Sequence, residues 1–148
     1  MTVCNSIILA ITQNILETMA HMGVCEGEAE PSLHEESMTG CVQISGTWRG
    51  AVVLKTTKGF VKHAACEMFD VADSAVTAVD MEDTLAEITN MIGGNIKSQV
   101  PSPSYLSLPS VTTGHDFNFR LNGAVVVCQM PMISHDHPLT VLICEAQE

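Results

Sequence analysis

The sequence has 148 residues, of which 46% are hydrophobic. This length and composition suit one folded domain spanning residues 1–148 and exclude a largely disordered chain. Six basic against 17 acidic residues give a formal net charge of −11, which argues against binding to nucleic acid and against adsorption to anionic lipid, because both need a basic surface.

The apolar pattern argues against a membrane protein and against a secreted one. No apolar run approaches the roughly 18 to 20 residues that a membrane-spanning helix needs. A secretory signal begins with basic residues, and no Lys or Arg precedes Arg49. The six cysteines form no C-x-x-C pair, which favours reduced residues over a disulfide framework or a zinc site. We therefore expect a cytoplasmic protein whose partners are proteins or small molecules.

The apolar spacing predicts one helix, two strands, two further helices and three strands, in that order. The expected helices span residues 7–22, 59–69 and 80–100, and the expected strands span residues 38–45, 48–56, 105–119, 124–131 and 139–144. Turns are expected at Gly46-Thr47, at Asn122-Gly123 and at residues 135–138, and a loop at residues 26–36. This order predicts an α+β fold in which long helices pack on one face of a mostly antiparallel sheet.

The helix expected at residues 80–100 has two distinct faces. At about 100° per residue, its apolar side chains form one stripe that must face a core. The stripe consists of Met81, Leu85, Ile88, Ile92 and Ile96. Glu87 and Asn90 lie one turn apart on the opposite face, where Asp83, Gly94 and Lys97 also fall.

Two consecutive glycines interrupt this helix, each at a cost of about 1 kcal/mol relative to alanine. Gly93 is expected to allow close packing against another element. Gly94 lies beyond Glu87 and Asn90 on the polar face, where bare backbone would let a second surface approach. From periodicity alone, an ordinary solvated face is the more frequent explanation of such a pair.

Residues 83–95, with the pattern Asp83-x-x-x-Glu87-x-x-Asn90-Met-Ile-Gly-Gly-Asn95, resemble the active-site helix of the CheC/CheX/FliY phosphatases. The resemblance to the CheX branch extends from about Val42 to the end of the sequence. It includes Pro109, which matches a proline that follows the motif in this family, at a spacing somewhat shorter than the CheC-type gap.

The CheC branch carries two such motifs, one on each of two related helices. In this sequence the first helix has Glu17-Thr-Met-Ala20, with alanine at the position of the asparagine. The resemblance therefore implies a CheX-like fold with a single site.

The resemblance implies a phosphatase that docks on a phosphorylated CheY-like response regulator and hydrolyses its phosphoaspartate. Asn90 would position the attacking water, and Glu87 would pair with the active-site lysine of the regulator. Asp83, Gly94 and Lys97 would lie at the rim of the interface, where Asp83 and Lys97 would contact the partner or simply stabilise the helix ends. Mg²⁺ would belong to the regulator, so this chain is expected to bind no metal or cofactor. The resemblance also implies a homodimer.

A receiver-binding or dimerisation module without turnover is the alternative function, and the presence of both Glu87 and Asn90 favours the enzyme.

His135 and His137 flank Asp136 in what is expected to be a polar turn rather than a metal site. The other four histidines show no consistent pairing with an acid or a nucleophile: His21, His34, His63 and His115. Sequence motifs for nucleotide binding and for a nucleophile elbow are absent.

Overall fold

A computed structural model of the chain describes residues 4–29, 35–114 and 123–147. The helices are α1 (Asn5–Ala20), α2 (Lys58–Phe69) and α3 (Ala78–Lys97), with a short 3₁₀ helix at Asp73–Ala75. The strands are β1 (Cys25–Glu26), β2 (Ser37–Gly46), β3 (Gly50–Thr57), β4 (Ser104–Leu106), β5 (Ser110–Gly114), β6 (Ala124–Ser134) and β7 (His137–Ala146).

The seven described strands form one sheet in the order β1-β6-β7-β3-β2, and β4 and β5 both pair with the remaining edge of β2. Each described strand pair is antiparallel. Along β3, Val52 and Leu54 join the main core with residues of all three helices. Ala51 and Val53 belong to a small separate cluster, as the two-residue alternation of a strand requires. The expected α+β fold, with helices on one face of an antiparallel sheet, is confirmed.

Helix α3 begins two residues earlier than the sequence predicts because a capping box fixes its start. The Asp80 backbone N–H donates to the Thr77 hydroxyl at 3.1 Å, and the Thr77 N–H donates to the Asp80 carboxylate at 3.0 Å. These reciprocal bonds satisfy two backbone donors that a helix N-terminus leaves open. The helix ends at Lys97, three residues before the expected end, and the chain reaches Pro101 by a short turn.

The prediction of one continuous strand over residues 105–119 is wrong. Its described part forms two short strands, β4 and β5, separated by residues 107–109. At the break, Ser107 N–H donates to the Gln43 carbonyl, while Gln43 N–H donates to the Ser107 hydroxyl, each at 2.9 Å. Pro109 has no N–H with which to continue a ladder. Residues 115–119 and Asn122 of the predicted turn lie outside the described residues.

The first hairpin also differs from its prediction, because the connection is longer than the expected Gly46-Thr47 turn. Strand β2 ends at Gly46 and β3 begins at Gly50, so Trp48 lies in the loop rather than in a strand. Its ring is buried in the main core, and its indole N–H donates to the Glu145 carboxylate at 3.1 Å. The expected loop at residues 26–36 begins with the short β1 pairing to β6, and residues 30–34 are not described. The other elements match their expected positions to within a few residues.

Candidate functional site

Helix α3 crosses β2 through two contacts that depend on glycine. A side chain at Gly93 of α3 would collide with Val42 of β2, and a side chain at Gly40 of β2 would collide with the Thr89 hydroxyl of α3. That hydroxyl donates to the Leu85 carbonyl at 2.7 Å, so it is satisfied within the helix. The close packing expected of Gly93 is present, and it fixes how near α3 lies to the sheet.

The opposite face of α3 carries the polar residues singled out in the sequence. Glu87 and Asp83 are exposed and Asn90 is half-buried, whereas Leu85 and Ile88 on the inner face are completely buried. Neither the Glu87 carboxylate nor the Asn90 amide forms a hydrogen bond or an ion pair with any residue that the structure describes. Both groups are therefore available to a second molecule.

A groove of about 330 Å³ runs between this face of α3 and the segment that joins β4 to β5. It is lined by Asp83, Ala86, Glu87, Asn90, Leu108 and Pro109. The groove thus brings three of the predicted site residues together with Pro109, the proline identified through the family resemblance.

Gly94 and Lys97 do not line the groove. They lie further along the same helix and are half-buried, and the space that a side chain at Gly94 would occupy is open to 4 Å. Gly94 therefore leaves backbone accessible beside the groove.

Two groove residues were missed in the sequence, Ala86 and Leu108. Leu108 falls within the strand that was predicted for residues 105–119, where a leucine is ordinarily a packing residue. In the structure Leu108 is 90% exposed. No pattern in the sequence separates it from a buried strand residue.

The groove is acidic. Its six lining residues supply two carboxylates and one amide, with no hydroxyl, thiol or imidazole. A carboxylate can pair with a cation, while a neutral amide can donate and accept hydrogen bonds at the same time. Among the described residues, no group of three or more His, Cys, Asp or Glu is arranged to hold a metal ion.

The expectation that His63 has no acidic partner is wrong, because Glu67 lies one turn along α2 from it. Helix α2 also brings His63 against the β6–β7 turn. The ring centroid of His63 lies 4.5 Å from that of His135 and 6.2 Å from that of His137, and its Nε2 lies 4.0 Å from the Glu67 carboxylate. Partial burial, and then the charge of His135, lower the pKa of His63. The turn itself is tight: Ser134 pairs with His137, and both intervening residues have positive φ, as two-residue hairpin turns do.

The six cysteines are all free. Burial raises the pKa of Cys41 to about 11 and also raises that of Cys144, so both are held as thiols inside the protein. None of the helices in the described ranges combines the length and apolar character needed to cross a membrane.

Residues 38–132 match the family described as chemotaxis phosphatase CheX. No curated protein matches the chain. The fold resembles that of the chemotaxis protein CheX from Vibrio vulnificus, with a TM-score of 0.76 and 21% identity over 93% of each chain. It also resembles a CheC-like superfamily protein from Shewanella, with a TM-score of 0.72 and 21% identity over 93% of this chain and 94% of that one.

A third similar structure is a CheX-CheY-BeF₃-Mg²⁺ complex from Borrelia burgdorferi. Its TM-score is 0.64, with 15% identity over 95% of this chain and 96% of that one. At these identities the three structures establish the likeness of the fold.

Proposed function

This chain belongs to the CheX family of chemotaxis phosphatases, and we propose that it docks on a phosphorylated CheY-like response regulator and hydrolyses the regulator's phosphoaspartate through Glu87 and Asn90. One observation carries the proposal. Both side chains stand on the outer face of α3, beside an open groove, and neither has a partner among the residues that the structure describes.

The proposed role of Asn90 is to position water. An acyl phosphate is already reactive, so its hydrolysis needs mainly an oriented nucleophile and stabilised charge. The amide oxygen of Asn90 would accept a hydrogen bond from the water while its NH₂ group donates to a phosphoryl oxygen. The water oxygen then bonds to phosphorus as the bond between phosphorus and the aspartyl oxygen breaks. One proton of the water passes to the phosphate product, and the other stays on the oxygen that was transferred.

The proposed role of Glu87 is to fix the docked register. Its exposed carboxylate would pair with the active-site lysine of the regulator. This pairing would place Asn90 opposite the phosphoryl group of the regulator. Asp83 would contribute to the acidic side of the same groove, and Gly94 and Lys97 would contact the partner farther along α3.

The relative from Borrelia burgdorferi supports the choice of partner, because its structure is a complex with CheY, BeF₃ and Mg²⁺. We assign Mg²⁺ to the regulator. We also propose a homodimer, which the family resemblance implies. The cytoplasmic location and the single domain over residues 1–148 are expected from the sequence.

The test is phosphate release from a CheY-like receiver that has been phosphorylated by a small-molecule phosphodonor in the presence of Mg²⁺. The chain should accelerate release severalfold or more at substoichiometric concentration. Saturable binding to the receiver with an unchanged rate of release would instead select the non-catalytic receiver-binding module. Absence of both binding and acceleration would reject the proposed function.

A further inference from the structure

Leu108 is more exposed than any other large hydrophobic residue that the structure describes, at 90%. It lies at the centre of segment 107–109, between β4 and β5, and it lines the groove together with Glu87 and Asn90. An isolated exposed leucine is common on protein surfaces and needs no explanation by itself. This leucine lines the same groove as Glu87 and Asn90, so a partner bound to those two residues would also cover it.

The segment that carries Leu108 is held rigidly. Strands β4 and β5 on its two sides both pair with β2. Between them, Ser107 exchanges hydrogen bonds with Gln43, and its hydroxyl also lies 3.0 Å from the Leu108 carbonyl oxygen. A backbone that is already held in this way has less conformational freedom to lose on binding, which favours affinity.

Leu108 and Asn90 are positioned by the same strand. Gln43, which holds the segment, directly follows Val42, which contacts Gly93 of α3. A methyl group at Gly93 would also lie 3.4 Å from Leu106, at the end of β4. The spacing between the exposed leucine and the polar residues of α3 is therefore built into the sheet.

We propose that Leu108 is the apolar anchor of the interface with the receiver, packing onto an apolar surface beside the phosphorylation site while the acidic groove faces the receiver's lysine. The inference rests on the proposed function and adds a residue that determines affinity. Charge complementarity selects this partner, because two carboxylates flank the groove, and a second copy of the same acidic face would repel it.

The anchor is tested by Leu108→Ala and Leu108→Asp, with binding measured against a BeF₃-Mg²⁺-loaded receiver and turnover measured on the phosphorylated form. Leu108→Ala should raise Kd and KM about tenfold, since a leucine side chain loses most of its apolar contact, and Leu108→Asp should raise them further. The kcat at saturating receiver should not change. Val126→Ala is the matched control, because Val126 is an exposed apolar residue on β6.

Three results would overturn the anchor. They are an unchanged Kd for both Leu108 variants, a lower kcat with an unchanged KM, and an altered oligomeric state without a change in receiver affinity. Unfolding midpoints equal to wild type are expected, since the side chain is in solvent, and they exclude misfolding as the cause of weaker binding. Failure of the proposed function would appear differently, as wild-type protein that neither binds nor hydrolyses the phosphorylated receiver.

Discussion

Gly93 of α3 and Val42 of β2 are in direct contact, and there is no space between them for a methyl group. At the next residue, Gly94, an added methyl group would meet no atom within 4 Å. The absence of a side chain therefore has a different consequence at each of these two adjacent glycines. The first sets the distance from α3 to the sheet, and the second leaves backbone bare beside the candidate site.

Alanine substitutions at these two glycines should have opposite effects on stability. Gly93→Ala forces Val42 or the helix to move, an overpacking cost of about 1–3 kcal/mol that outweighs the gain in helix propensity. Gly94→Ala meets no neighbour and should raise the free energy of unfolding by up to about 1 kcal/mol. Denaturant unfolding of both variants checks the pair, and equal effects would contradict the packing described here.

Removal of the α3 N-cap should weaken the helix that carries the site. Thr77→Ala deletes the hydroxyl that accepts from the Asp80 N–H and should cost about 1 kcal/mol. Thr77→Ser keeps the hydroxyl and should remain close to wild type. The free energy of unfolding in urea gives the comparison, and an unaffected alanine variant would show that the capping box contributes nothing.

Stability should fall as the pH falls through the titration of His63. Its folded-state pKa lies below the ordinary value of 6.5, because of partial burial and then His135, with a smaller lowering by His137 and an opposing effect of Glu67. Below pH 6.5 the unfolded chain binds the proton of this histidine more readily than the folded chain does. The stability that neutral His63 contributes is therefore fully present above pH 6.5 and is lost as the pH falls through the folded pKa.

The measurement is the free energy of unfolding between pH 7.5 and 5.5. His63→Asn should lose less stability over this range than wild type does. His21→Asn is the control, since His21 is exposed and lies in a left-handed conformation that asparagine tolerates. An identical pH dependence for wild type and His63→Asn would remove His63 from the explanation.

Substitutions of Glu87 should weaken receiver binding in a graded way. Glu87→Ala removes the proposed ion pair, and Glu87→Lys replaces attraction with like-charge repulsion and should bind more weakly still. Because the carboxylate is exposed, the loss caused by Glu87→Ala should shrink as salt concentration rises. Titrations of a BeF₃-loaded receiver at two salt concentrations provide the test, and tighter binding by Glu87→Lys would rule out the assigned role.

The helix with the candidate site could be predicted because its information is local. A 3.6-residue apolar stripe and two prolines beyond its end identify α3, and the same periodicity places Glu87 and Asn90 on its outer face. The close contact at Gly93 was also expected, although its partner, Val42, could not be named from spacing.

The parts that could not be predicted depend on contacts between distant segments. The break between β4 and β5 arises where Ser107 bonds to Gln43, which lies 64 residues earlier in the chain. His63 meets His135 only because α2 lies against the β6–β7 turn. A leucine within a predicted strand is expected to be buried, whereas Leu108 is exposed in the connection between β4 and β5. Its exposure follows from the fold and not from its residue type.

The amide of Asn90 is the group that positions water in the proposed mechanism, and the decisive measurement compares two asparagines of the same helix. Asn95 is the matched control, because its amide donates to the Met91 carbonyl at 2.8 Å and it does not line the groove. With a saturating phosphorylated receiver, Asn90→Ala should lower the rate of phosphate release by about a hundredfold or more while retaining receiver binding. Asn95→Ala should release phosphate at the wild-type rate. A wild-type rate for Asn90→Ala, or an equal loss in both variants, would contradict the proposed mechanism.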